Sequence, residues 1–132
     1  RRFQLALRYL YAVYELVSII DLSDNTISTI YKGSSIYQGT RFGDDALRVL
    51  ERFAKDYIHP KDEERFIAFV DPPTVEERVI ASERNYLVDS FRAHSHRGSY
   101  EWMTIELVPM QVDSQKTVLM CMRKTSMEVI VK

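Results

Sequence analysis

The first dozen residues carry apolar side chains at helical spacing. Phe3, Leu7, Leu10 and Tyr14 recur every three or four positions, and arginine and glutamine residues stand between them. This pattern predicts an amphipathic helix over residues 1–12, whose apolar side needs another surface to pack against. We interpret it as a flanking or linker helix.

The pattern changes to that of β-strands over the next twenty residues. The segments Val13–Asp21 and Thr26–Tyr31 are rich in β-branched residues, which favour strands. The Ser-Asp-Asn sequence at 23–25 is typical of a tight turn, so two strands joined by a turn are predicted. The segment Lys32–Gly43 holds three glycines and two serines without a sustained period, which indicates a connecting loop.

The middle of the chain is predicted to be helical. Asp44 and Asp45 precede a segment with apolar residues at a 3.6-residue period, and acidic residues favour a helix N-terminus. Pro60 suits the first position of a second helix, which we expect to reach about residue 69. The segment Asp71–Pro73 ends that helix, and another begins near Thr74.

From residue 84 onward the apolar period is two. Two strands, Leu87–His94 and Tyr100–Pro109, are separated by the turn residues His96–Ser99 and form a long hairpin. A polar turn follows, and Thr117–Thr125 is a further strand. Two strands, several short helices and three strands predict an α+β fold, an antiparallel sheet with helices on one face.

The register of the hairpin decides which side chains face the helices. We place Ser95 opposite Tyr100, which puts Phe91 on the same face as Trp102, away from the helices. The face predicted to meet the helices then carries Ser90, Arg92, Met103, Ile105, Met120 and Met122.

Composition narrows the class of protein. The chain has 132 residues, 45% of them hydrophobic and 28% charged, which suits one folded domain. Eighteen basic and nineteen acidic residues give a net charge of −1, which disfavours binding to nucleic acid. The apolar stretch Tyr9–Ile20 is interrupted by Glu15 and is shorter than the roughly 20 residues of a membrane span. The single cysteine, Cys121, excludes an internal disulfide.

Two sequence motifs resemble those of a known family. Ile58–Phe66 reads IHPKDEERF, which is similar to the I-H-P-x-D helix start of PAS domains. Phe91 and Arg92, followed by Gly98–Trp102, are similar to the family's Y-R…G-x-Y-x-W hairpin, with Phe91 in the place of the common tyrosine. Val17–Leu22 resembles the family's first strand more loosely. Over about residues 13–126 the chain resembles the PAS superfamily, in particular the bacterial PAS domains found beside GGDEF-type diguanylate cyclases and sensor histidine kinases.

The resemblance implies a five-stranded antiparallel sheet in the order 2-1-5-4-3 with short helices across one face. It also implies a division into a flanking helix at 1–12, a PAS-like domain at 13–126 and a linker to an output domain at 127–132. Such domains bind small molecules or cofactors, or dimerise. They transmit conformational strain through their flanking helices to an output domain. Catalysis is outside the family's repertoire.

Arg92 is the most distinctive candidate for ligand binding. On the predicted inner face its guanidinium would bind a ligand carboxylate in bidentate fashion at the rim of a pocket. The structural alternative is an ion pair with Glu101 or another surface acid. Trp102 either stacks on a ligand or anchors the first helix or a dimer partner, and we favour the anchor. The predicted ligand set is Arg92, Ser90, Met103, Ile105, Met120 and Met122, and the predicted packing set is Phe3, Leu7, Leu10 and Trp102.

Cofactor ligands have weaker support in the sequence. His94 and His96 stand two apart on a strand but lack a third ligand, so a solvated hairpin end is the preferred interpretation. His59 precedes Pro60, which favours a structural role over haem ligation. Cys121 lacks the helical Asn-Cys-Arg phrase of flavin-linking relatives and is interpreted as a buried thiol. We therefore predict no haem, flavin or metal and leave the cofactor unassigned.

These observations predict a cytoplasmic, non-enzymatic sensory input domain cut from a larger bacterial signalling protein. The expected partners are a second copy of the chain, a covalently linked output domain and a small-molecule ligand. Two alternatives stay open: a small cone-shaped enzyme or carrier of the nuclear-transport-factor or scytalone-dehydratase type, and a ligand-free dimerising spacer. Fold alone does not choose among these roles.

Overall fold

The first two predicted strands form a tight hairpin. In the computed structural model, which describes residues 13–33, 37, 39–40, 43–95, 98–112 and 114–125, β1 spans Tyr14–Asp21 and β2 spans Thr26–Lys32. The Asp21 carboxylate accepts hydrogen bonds from the backbone N–H groups of Ser23 and Asp24, and these two bonds stabilise the turn. Asn25 adopts φ 55°, a left-handed conformation that asparagine tolerates. The predicted strand pair is confirmed.

A short strand and a long helix follow the loop. The two-residue strand β3, Asp44–Asp45, pairs with the start of β2. Helix α1 spans Ala46–Tyr57, and the Asp45 carboxylate caps it by accepting the Arg48 N–H at 3.2 Å. The helix is confirmed, whereas β3 was not expected.

Two further helices and a 3₁₀ turn complete the helical layer. Helix α2 spans Pro60–Val70, with Pro60 at its first position as predicted. The prolines of the 3₁₀ turn Pro72–Thr74 separate α2 from α3, which spans Val75–Ser82. Glu83 ends α3 in a left-handed conformation, φ 59°, where glycine is the usual residue.

The C-terminal strands complete one antiparallel sheet. β4 spans Leu87–His94, β5 Tyr100–Val112 and β6 Gln115–Lys124. The sheet has six strands in the order β3-β2-β1-β6-β5-β4. The predicted count of five was wrong because β3 adds a short edge strand. Without β3, the order of the five longer strands is the predicted one.

The predicted register of the β4–β5 hairpin was wrong by one residue. His94, not Ser95, lies opposite Tyr100, and Arg92 therefore lies opposite Trp102. The turn explains the difference. The Ser95 N–H donates to Ser99 O at 2.8 Å, and Gly98 takes φ 76°, so Ser95 pairs with Ser99 and not with Tyr100. Because side chains alternate along a strand, this slip moves every β4 side chain to the other face.

The core lies between the inner face of the sheet and the helices. Phe91 and Ala93 of β4 face the helices and are fully buried. A chain of aromatic rings connects the loop to the sheet, from Tyr37 through Phe53 and Phe66 to Phe91, with neighbouring centroids 5.5–5.7 Å apart. These rings make the space between sheet and helices a packed layer.

The predictions for both ends of the chain fall outside the described residues. The flanking helix at 1–12, with Phe3, Leu7 and Leu10, and the linker at 127–132 are among them. The division into flanking helix, domain and linker stays a prediction. Within the described part of the chain, no helix combines the length and apolarity that crossing a bilayer requires.

Candidate functional site

The sheet face that points away from the helices, called the outer face below, has an apolar centre. Val17 of β1 lies opposite Cys121 of β6, and Ile19 lies opposite Leu119. Val17 and Cys121 are buried, whereas Ile19 and Leu119 are partly exposed. Trp102, which lies on β5 in the same face, is 39% exposed. The outer face therefore presents a partly open apolar surface.

A polar cluster lies beside the apolar centre of this face. The Tyr14 hydroxyl donates to Glu106 Oε1 at 3.4 Å, and Arg123 Nε lies 3.7 Å from the same oxygen. Burial, and next the Glu106 charge, raise the pKa of Tyr14. Burial likewise raises the pKa of the Cys121 thiol to about 11, so Cys121 stays protonated and unreactive at neutral pH. The prediction of a buried thiol is confirmed.

The free edge of β4 is covered by the start of α2. Asp62, which is 4% exposed, accepts three hydrogen bonds from Arg92, from its backbone N–H at 2.8 Å, its Nε at 2.9 Å and its Nη2 at 2.7 Å. The N–H of His59 donates to the Arg92 carbonyl at 2.9 Å. The Arg92 hydrogen bonds lower the pKa of Asp62 to about 2 against the opposing effect of burial.

A second arginine covers the same edge one turn further along α2. Arg65 binds the Asp89 carboxylate at 2.7 Å and the Ser90 carbonyl at 2.9 Å. Its guanidinium also lies 4.2 Å from the centroid of the Phe91 ring, within range of a cation–π contact. The helix therefore occupies backbone groups that an edge strand would otherwise offer to another chain.

The predicted ligand set is divided between two faces. Met103, Ile105, Met120 and Met122 are buried on the inner face, as predicted. Ser90 and Arg92 lie on the outer face because of the one-residue slip, so the placement of Arg92 opposite Met103 was wrong. The Arg92 guanidinium is engaged by Asp62 and lies 5.4 Å from the Trp102 ring. The structural alternative was an ion pair with Glu101 or another surface acid; Arg92 does form an ion pair, and its partner is the buried Asp62. Ligand binding by this set stays a prediction.

The histidines gather around Tyr100 at the end of the hairpin. The His94 ring stacks on Tyr100 at 4.4 Å, and the His59 ring lies 4.6 Å from it. His59 Nδ1 accepts the Lys61 N–H at 3.0 Å and caps α2, which is the structural role preferred from the sequence. His96 lies outside the described residues. Among the residues that the structure covers, no three His, Cys, Asp or Glu side chains converge as metal ligands would.

A cleft of about 360 Å³ runs along α1, and we call it the α1 cleft. Its helix side is formed by Arg48, Val49, Arg52, Phe53, Asp56 and Tyr57. Its other wall includes Thr40, whose backbone N–H and hydroxyl bond to Thr29 on β2 at 2.8 and 3.2 Å. The sequence analysis missed this cleft. The one signal in the sequence that could have indicated it is the pair Arg48 and Arg52, which are spaced four residues apart on one helix.

Tyr37 is the other residue that the sequence analysis missed. It lies in the predicted connecting loop, yet it is 1% exposed and packs edge-on against Tyr57, with ring centroids 5.0 Å apart. Its hydroxyl donates to the His94 carbonyl at 2.7 Å, and burial raises its pKa. A single aromatic residue without a period gives no signal of burial in a glycine-rich segment.

Comparison with known proteins was informative only at the level of structure. No protein-family model and no curated protein matches the sequence. A solved PAS domain from Colwellia psychrerythraea is similar over 95% of this chain and 98% of its own, with 16% identity and a TM-score of 0.53.

Two further solved structures similar to this chain come from sensor kinases. A sensory box histidine kinase/response regulator from Burkholderia thailandensis is similar over 99% of this chain and 89% of its own, with 11% identity and a TM-score of 0.50. A sensory box sensor histidine kinase from Vibrio cholerae is similar over 96% and 94%, with 16% identity and a TM-score of 0.50. At these identities the likeness concerns the fold, and the chain has the fold of a PAS domain.

Proposed function

We propose that this chain is a non-enzymatic sensory input domain that works as a homodimer and passes a signal to a covalently linked output domain. The PAS fold and the sensor kinases among its structural neighbours support this class of function. A bacterial, cytoplasmic histidine kinase or diguanylate cyclase is the proposed full-length protein. A cone-shaped enzyme or carrier loses its basis because the fold is that of a PAS domain.

The observation that carries the dimer is the partly exposed Trp102 on an outer face with an apolar centre. A large aromatic side chain stabilises an interface when water is excluded from both sides of its ring. We propose a second copy of the chain as the occupant, with residues 1–12 completing the contact. Residues 1–12 precede Tyr14, the first residue of β1, whose hydroxyl donates to Glu106 on this face.

In such a dimer, the signal would be a change in how two outer faces and their flanking segments pack. A bound molecule or partner shifts the equilibrium only by its difference in affinity for the two arrangements. The ligand-free spacer is the second candidate, and the filled aromatic layer between helices and sheet favours it. In both cases the outer face is the contact surface.

Sedimentation velocity of Trp102→Glu tests the proposal, with Ile80→Glu as the matched control. Ile80 is 78% exposed on α3, so its substitution adds the same charge on the helical side of the molecule. The unmodified chain and Ile80→Glu should sediment as dimers at micromolar concentration, and Trp102→Glu as a monomer. A monomeric unmodified chain at high micromolar concentration, or a dimeric Trp102→Glu variant, would contradict the outer-face dimer.

A further inference from the structure

The α1 cleft gathers two cationic side chains that have no ion-pair partner within the described residues. Arg48 and Arg52 are exposed and stand four residues apart, so they project from neighbouring positions on one side of α1. Arg65 and Arg92, by contrast, each bind a carboxylate at 2.7 Å. Within the part of the chain that the structure describes, neither guanidinium is ion-paired with the carboxylates that line the cleft, so their N–H donors are open to an anion.

The carboxylates that line the same cleft are not equivalent. Asp45 is occupied as the helix cap, where it accepts the Arg48 N–H at 3.2 Å, and Asp44 has interactions of its own. Asp56 stands four residues after Arg52, and its side chain has no hydrogen bond or ion pair among the described residues. Four residues of an α-helix span about 6 Å, which separates Asp56 from Arg52 along the helix axis. The cleft therefore has an anion-binding end at the arginines and a hydrogen-bond acceptor, Asp56, at the other end.

The cleft also has aromatic and apolar lining residues. The Phe53 and Tyr57 rings lie 5.0 Å apart and form one continuous wall, with Val49 beside them. The volume of about 360 Å³ is at the small end of the range of ligand sites, roughly 300–1,000 Å³. A flat molecule of one ring fits this combination of size and lining.

We propose that the α1 cleft binds a small aromatic carboxylate whose anionic group lies between Arg48 and Arg52, whose ring packs on Phe53 and Tyr57, and whose hydroxyl or amino group donates to Asp56. The bidentate geometry of guanidinium suits a carboxylate, and the carboxylate of Asp56 selects against a second anionic group at the far end. This site is independent of the outer face. Failure of one proposal therefore leaves the other standing.

Titration of the ¹⁵N-labelled chain with 4-hydroxybenzoate, followed by amide chemical shifts, tests the site. The probe should cause saturable shifts in residues 48–57, and Arg52→Gln should weaken binding about tenfold or more. Lys55→Gln, which removes the same charge from the same helix but not from the cleft, should bind as the unmodified chain does. The Trp102→Glu variant should also bind normally, because it affects only the outer face.

Three further probes define the recognition. Benzoate lacks the donor for Asp56 and should bind more weakly, and phenol lacks the anion and should not bind. Inorganic phosphate should bind more weakly than 4-hydroxybenzoate because it has no ring. The proposal is overturned if 4-hydroxybenzoate causes no saturable shift in α1, if Arg52→Gln and Lys55→Gln bind equally well, or if phosphate binds as tightly as the aromatic probe.

Discussion

The Asp62 carboxylate binds the backbone N–H and the guanidinium of Arg92 at the same time, through three contacts of 2.7–2.9 Å. The Asp62 side chain thereby pairs with a backbone N–H at the free edge of β4. It also neutralises the positive charge of Arg92 on the outer face. The pair connects the helical layer to the hairpin that bears Trp102. The pair is thus a direct contact between α2 and a residue of the outer face.

Removal of this carboxylate should destabilise the domain. We expect Asp62→Ala to lower the free energy of unfolding by about 1 to 2 kcal/mol, a moderate value because Arg92 is partly exposed and water screens the pair. Urea denaturation measures this change. Glu64→Ala, an exposed acid in the same helix, is the control and should change stability little. Equal stability of both variants would contradict the role given to Asp62.

The same pair predicts how stability depends on acid. The pKa of Asp62 is lowered from 3.8 to about 2, so its stabilising contribution is present above the unfolded-state pKa and is lost as pH falls from about 4 to about 2. Asp62→Asn should therefore be less stable than the unmodified chain at pH 6, and the difference should shrink through that window. Thermal unfolding at several pH values measures it. A difference that stays constant down to pH 2 would show that the charge of Asp62 does not contribute.

Tyr37 should behave as a core residue in spite of its position in a glycine-rich segment. Tyr37→Phe removes the 2.7 Å hydrogen bond to the His94 carbonyl and should cost about 1 kcal/mol. Tyr37→Ala also empties the space beside Phe53 and Tyr57 and should cost about 3 to 5 kcal/mol. Chemical denaturation of both variants gives the two values. A cost below 1 kcal/mol for Tyr37→Ala would mean that this segment is not packed as described.

Glu83 offers a prediction of the opposite sign. Its φ of 59° is strained for a residue with a side chain, so Glu83→Gly should raise stability by about 0.5 to 1 kcal/mol. Glu77→Gly, the same substitution at an exposed position inside α3, should lower stability by about 1 kcal/mol. Opposite shifts in the thermal midpoint confirm the left-handed end of α3. A loss of stability in both variants would argue against it.

Local signals in the sequence determined most of the elements and their order. The acidic residues before α1, Pro60 at the start of α2 and the period of two after residue 84 each act within a few residues. Each can therefore be interpreted without the fold. The buried methionines Met120 and Met122 also followed from alternation along one strand. Spacing within a single element was sufficient for these predictions.

Only the tertiary structure determines the features that depend on contacts between different elements. The register of β4 against β5 depends on the hydrogen bonds of the turn from Ser95 to Ser99, and one residue more or less exchanges the two faces of the strand. That is why Arg92 was assigned to the wrong face and Asp62, thirty residues away in sequence, was not recognised as its partner. The burial of Tyr37 and the α1 cleft arise in the same way, because both form between segments that are separated along the chain. Contacts of this kind have no period, and only the assembled fold determines them.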